Sequence, residues 1–222
     1  MTARSATMVA IAAVCGAVLL AAAAGHVLPA YPRPASSTEM PADRPPPARM
    51  SESDVEALLQ RVAKRLDPQL RAKLAEAVVS EAARAGYDPL FVLALVSVES
   101  SFRPHVSSER GAYGLMQLKP STFAWIAGRE PDIGDGAAVS EDPVIDVRLA
   151  VRYFRWLENR FHRREEALMA YNAGPGRMRH YKRTRIPASL REYPRRVLSE
   201  YRRFTRMTGG QDARAVVLAR AN

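Results

Sequence analysis

The chain has almost no cysteine. Cys15 is the only one in 222 residues, which excludes an internal disulfide framework and any cysteine-rich zinc site. Histidine is nearly as scarce. His26, His105, His162 and His180 lie far apart, and no two have the i, i+4 spacing that presents two metal ligands on one helix face. Alternating β-branched stretches are missing, so nothing announces a sheet. Acidic residues run out toward the C-terminus: residues 177–222 carry 13 basic and 3 acidic side chains, against 20 of each in residues 1–176. The formal charge of +10 therefore sits wholly in that last segment, which points to an anionic partner for that end. The whole chain is 47% hydrophobic and 25% charged, the balance of one ordinary globular domain with tails.

One long apolar run exists. Behind Arg4, the 17 residues from Met8 to Ala24 are uncharged and end in Ala22-Ala23-Ala24-Gly25, a small-residue pattern a signal peptidase could cut. Residues 1–28 read as a signal peptide, with an uncleaved N-terminal membrane anchor as the alternative. Either sends the bulk of the chain to the periplasm or cell envelope. Cys15 lies mid-run without the leucine that opens a lipobox, and reads as apolar filler. From Pro29 to Met50 seven prolines and no apolar periodicity mark an extended spacer, 29–50. The folded domain is expected over 51–208, with 209–222 as a tail.

Helical signals fill that domain. Val55, Leu58, Leu59, Val62 and Leu66 follow Ser51 and Ser53 at helical spacing, up to a stop at Asp67-Pro68. Leu70, Leu74, Ala77, Val78 and Ala82 form the next apolar face, with Gly86 as its stop. Asp88-Pro89 opens a segment, Leu90 to Val96, that is apolar on every side and should be the buried centre. Residues 101–120 read as loop, and a short helix begins at Ser121-Thr122. The 128–142 stretch is rich in glycine and aspartate. A calcium loop opening at Asp132 would need glycine at its sixth position, where Ala137 stands, so it reads as solvated loop. Asp142-Pro143 opens a helix with Val144, Val147, Leu149, Ala150, Tyr153, Phe154 and Leu157 inward, and Glu165 to Tyr171 forms another that stops at residues 172–176. The fold class is mainly α.

Glu99 is the most informative residue. It follows wholly apolar turns, so desolvation and the negative end of the helix dipole both oppose its ionisation, which suits a general acid. A helix-end glutamate curling into solvent is the competing reading. Three blocks bear on the choice: Glu99-Ser100-Ser101-Phe102, the run from Ser108 to Gln117 (SERGAYGLMQ), and Ala170-Tyr171-Asn172-Ala173-Gly174. In this order they resemble the soluble lytic transglycosylase family, over about residues 80–205. The resemblance implies the α+β lysozyme-like superfamily, here as a single helical catalytic domain with a deep glycan-binding cleft. It makes Glu99 the catalytic acid and then base, Ser108 the serine whose hydroxyl lies near the reacting sugar, and Gln117 a substrate-binding residue. Tyr171 and Asn172 line the cleft. Gly111 and Gly114 read as turns that let backbone approach the glycan, and Leu115 and Met116 as packing.

Two departures stand out. Leu118-Lys119 replaces the family's apolar residue and methionine before proline. In the late block Ser189-Leu190-Arg191-Glu192-Tyr193, only Arg191 and Tyr193 match. The resemblance implies the reaction: cleavage of the MurNAc-β-1,4-GlcNAc bond of peptidoglycan, leaving 1,6-anhydro-MurNAc ends, with no metal or cofactor. Two alternatives remain. A muramidase would need a second carboxylate such as Asp132, Asp135 or Asp142 facing Glu99, and a non-catalytic glycan-binding protein would need none. Expected partners are peptidoglycan glycan strands and no nucleic acid; nothing marks an oligomeric state. The basic C-terminal segment, with Arg195, Arg196, Arg202, Arg203 and Arg206 around Val197, Leu198, Tyr201 and Phe204, has two readings. It is a docked helix with a solvated arginine face, or a device that captures an anionic wall or membrane surface.

Overall fold

The computed structural model describes residues 50–133 and 141–209. The N-terminal signal or anchor, most of the proline-rich spacer, Asp135 and nearly all of the C-terminal tail lie outside these residues. No described helix is long and apolar enough to cross a membrane.

Eight α-helices make up the described domain: α1 Glu52–Val62, α2 Pro68–Ala85, α3 Pro89–Ser100, α4 Pro120–Ala127, α5 Pro143–Phe161, α6 Arg164–Ala173, α7 Pro175–Arg183 and α8 Glu192–Met207. Among the described residues there is no strand, only isolated bridges pairing Tyr113 with Ser107 and Leu118 inside the 101–119 loop. Local chemistry sets most helix starts. Five helices begin on proline, where its missing N–H costs nothing. Before three of them, Asp67, Asp88 and Asp142 accept hydrogen bonds from the free N–H groups of the opening turn. Ser51 opens α1 with a reciprocal cap, its hydroxyl accepting from Asp54 N–H while the Asp54 carboxylate accepts from Ser51 N–H.

Two boundaries differ from the sequence reading. α1 ends at Val62 rather than at Asp67-Pro68, since Ala63 leaves the helical region (φ −120°, ψ 51°); Leu66 is still buried, from the connecting turn. α7 is a helix where periodicity shows none. Only Met178 is buried in it, so its apolar face is a single residue.

α3 is the centre. Leu90 through Val96 are all buried, and the helix packs against α2 and α8. Each large apolar side chain there contributes roughly 1.5–3 kcal/mol. α8 lays Tyr193, Val197, Tyr201 and Phe204 onto it, and the Tyr201 hydroxyl donates to Asp88, the N-cap of α3, at 2.7 Å. The basic segment is therefore, at least, a docked terminal helix.

α5 crosses α2, α4 and α6 and brings one arginine inside. The Arg152 guanidinium lies 2.7 Å from Glu81, 2.8 Å from Glu130 and 2.7 Å from Asp132. Asp132 is thus not a freely solvated loop carboxylate. Hydrogen bonds from Arg152 hold it well below the usual carboxylate range.

Candidate active site

The C-terminal end of α3, the 101–119 loop, the start of α4 and the α6–α7 junction enclose a cleft of about 600 Å³. Glu99, Ser108, Gln117, Tyr171 and Asn172 all line it. Sequence reading named these five from three separated blocks, and the fold brings them to one wall.

Glu99 sits in the last turn of α3. Directly after it the chain turns through two left-handed residues, Ser101 (φ 52°) and Phe102 (φ 60°). For a side chain as bulky as phenylalanine this costs about 1–2 kcal/mol. Phe102 is buried near Phe204 of α8, with ring centroids 6.3 Å apart, and that burial offsets the strain. The turn lets the loop double back over the glutamate. Glu99 itself is half-buried, and Tyr193 of α8 donates its hydroxyl hydrogen to Oε1. Burial pushes the Glu99 carboxyl up to about 7. The Tyr193 hydrogen bond and the Arg196 charge pull the other way, and the like charge of Asp146 adds to the rise. The carboxyl is therefore poised near neutral pH by the desolvation that its all-apolar helix imposes.

Tyr171 lines the cleft with its ring, which stacks on Tyr193 at 6.4 Å and 15°. Its hydroxyl donates to Met116 C=O at 2.9 Å and so holds the loop. Gln117, at φ 51°, spends its amide nitrogen on Val106 C=O (2.8 Å) and Gly114 C=O (3.0 Å). Loop-holding is therefore its first role, and its Oε1 is the atom left for a ligand. Ser108 Oγ accepts from Ala112 N–H at 3.0 Å, leaving its own hydrogen to donate. Asn172 is exposed on the cleft wall.

Sequence reading missed Asp146. It is 4% exposed, accepts from Met116 N–H at 2.9 Å, and is pushed to about 7 by burial. It lies so close under Gly114 (φ 85°) that a Cβ there would meet Oδ2 at 2.5 Å. That glycine is required twice, by its backbone angle and by the carboxylate beneath it. Met116 is thus clamped at both ends of its peptide environment, N–H by Asp146 and C=O by Tyr171. One turn past the Asp142-Pro143 start, Asp146 reads in sequence as an ordinary first-turn acid, which hid it. Replacing it with asparagine keeps an oxygen acceptor for Met116 and removes the charge. Glu99 in Asp146→Asn should then titrate at lower pH than in the parent, as followed by carboxyl-detected NMR. An unmoved titration means the two carboxyls do not sense each other.

Two of the other acids considered beside Glu99 are engaged elsewhere. Asp132 belongs to the Arg152 network, and Asp142 caps α5 through Val144 N–H at 2.8 Å. Among the described residues Glu99 is the only carboxylate lining the cleft, and no group of three or more His, Cys, Asp or Glu could hold a metal ion.

Comparison with known proteins places this geometry. The chain is 39% identical over 85 residues to an endo-type membrane-bound lytic murein transglycosylase A of Klebsiella pneumoniae, covering 36% of this chain and 42% of that one. It is 34% identical over 93 residues to a soluble lytic murein transglycosylase of Salmonella typhimurium, covering 40% of this chain and 14% of that one. It thus spans less than half the length of these relatives. The fold matches the 70 kDa soluble lytic transglycosylase of Escherichia coli with a TM-score of 0.58 at 21% identity, over 76% of this chain and 32% of that one. The sequence pattern of the transglycosylase SLT domain matches residues 76–191, a span that holds Glu99 and the four other cleft residues and stops just short of Tyr193. The chain belongs to the transglycosylase SLT domain family.

Proposed function

We propose that the protein is a peptidoglycan lytic transglycosylase that cleaves the MurNAc-β-1,4-GlcNAc bond and leaves 1,6-anhydro-MurNAc ends. The observation that carries the proposal is the half-buried carboxyl of Glu99, the only one among the described residues lining the cleft, raised to about 7 and held by Tyr193. Below that pH it is largely protonated and can donate to the departing glycosidic oxygen. With no second carboxylate at the described cleft wall, the substrate supplies the second group. The oxygen of its own 2-acetamido substituent attacks the anomeric carbon as the glycosidic bond breaks. Glu99, now a carboxylate, takes the proton from the C6 hydroxyl. That oxygen closes onto C1, displaces the acetamido oxygen and restores it, and no water is consumed. Tyr193 holds the carboxylate in its basic phase, Ser108 donates toward the reacting sugar, Gln117 Oε1 and Asn172 receive sugar hydroxyl or amide hydrogens, and the Tyr171 ring forms the wall.

The chemistry assigns the protein to the cell envelope. The apolar N-terminal run supports export, and the named relatives act on murein. The arginines of α8 support capture of an anionic wall surface unevenly. Arg195 and Arg203 are paired with Glu192 and Glu200, and Arg196 donates to Val98 C=O behind the catalytic turn, whereas Arg202 and Arg206 are exposed and form no ion pair among the described residues. Mass spectrometry of the soluble products of sacculus digestion tests the proposal. Anhydro ends, one water lighter than hydrolysed ends, are the expected products; hydrated ends would make the protein a muramidase, and no products at all a binding protein.

A further inference from the structure

Three cations share the Glu99 cleft. Arg110 comes from the loop, Lys119 from the residue capping α4, and Arg177 from the first turns of α7. All three are exposed. Among the described residues none of their side chains forms an ion pair, whereas Arg84, Arg152, Arg164, Arg191 and Arg203 each sit on a carboxylate. The cation that bears on Glu99 is Arg196, from α8 behind it. The cleft cations therefore neither neutralise a protein acid nor tune the catalytic one. Two segments far apart in sequence, the 101–119 loop and the start of α7, deliver charge of one sign to a single concave wall where Glu99 is the only acid among the described residues. Lys119 is also where the sequence departs from the pattern it otherwise resembles.

We propose that Arg110, Lys119 and Arg177 bind carboxylates carried by the glycan, so that the cleft selects acidic strands over neutral N-acetylated glycans of the same backbone. This rests on the transglycosylase reading for its choice of polymer. An arginine fork matches a carboxylate bidentately, and a lysine serves as a mobile point charge. Two sources carry this chemistry. A strand with peptide stems presents the free carboxylates of its amino acids. A strand stripped of stems by an amidase presents the lactyl carboxylate of each muramyl unit, which is otherwise tied up as an amide.

The test compares binding by Glu99→Gln protein with binding by the same protein carrying Arg110→Gln, Lys119→Gln and Arg177→Gln. The probes are stem-bearing strands, stem-stripped strands and neutral N-acetylglucosamine oligomers, each at low and physiological salt. Exposed pairs contribute little singly, so the three together should weaken binding of an acidic strand about tenfold. The salt dependence should fall with it, and affinity for the neutral oligomer should stay within about twofold. Whichever acidic strand shows the larger loss identifies the carboxylate. Equal loss on the neutral oligomer, or no loss on either acidic strand, overturns the proposal. Because Glu99→Gln need not turn over, the result does not depend on the reaction. Charge-dependent binding without anhydro products from the parent enzyme would strike the transglycosylase reading and leave the carboxylate rim standing.

Discussion

Glu99→Gln should abolish cleavage and, at pH 8, yield a more stable protein. The amide keeps an oxygen to accept from Tyr193 but has no proton to give, so the loss of turnover should exceed about a thousandfold. The stability gain follows from the same burial. The folded state raises the Glu99 carboxyl from its ordinary 4.5 to about 7, so it favours the protonated form. That contribution is fully present below 4.5 and is lost as pH rises through about 7. At pH 8 the parent holds a charge in a half-buried site, and glutamine does not. Discounting for the side chain's partial exposure, the gain should be about 1–2 kcal/mol at pH 8 and close to zero at pH 4. Urea unfolding at both pH values measures it. Turnover by the folded variant, or equal stability at both pH values, contradicts the buried-acid account.

Arg152→Leu should cost about 3–5 kcal/mol, far from the chemistry. The guanidinium and Glu81 are both nearly inaccessible, and Arg152 also holds Glu130 and Asp132 on the loop after α4. Removing the cation leaves Glu81 buried without a counter-charge, and that unpaired group, more than the lost attraction, sets the penalty. The double variant Arg152→Leu, Glu81→Leu should therefore recover much of the loss. A cost of under about 1 kcal/mol for the single variant would class the network with inert surface pairs.

Arg152 and Asp146 show where sequence reading stops. The helix starts were legible because proline and capping aspartates act over three or four residues, and the centre was legible because α3 has no polar face. The same all-apolar turns singled out Glu99, and the three blocks supplied the four residues around it. Asp146 and Arg152 looked like ordinary polar positions on an amphipathic helix, and Tyr193 matched the late block with nothing to place it on Glu99. Their burial comes only from what packs over them: the Gly114–Met116 turn, the loop carrying Glu130 and Asp132, and the end of α3. The Tyr171 hydroxyl and the Gln117 amide nitrogen look outward in sequence but close onto loop backbone in the fold, because a loop so turned has carbonyls that must be satisfied.

In the proposed reaction the glycan's own C6 hydroxyl, and not water, closes the ring after Glu99 has protonated the leaving oxygen. Digesting sacculi in water enriched in oxygen-18 tests it most directly, with the mass of the soluble muropeptides as readout. Anhydro ends free of the heavy isotope at the muramyl anomeric carbon are the expected result. Ends carrying a labelled anomeric hydroxyl would show that water is the attacking group and would contradict the account.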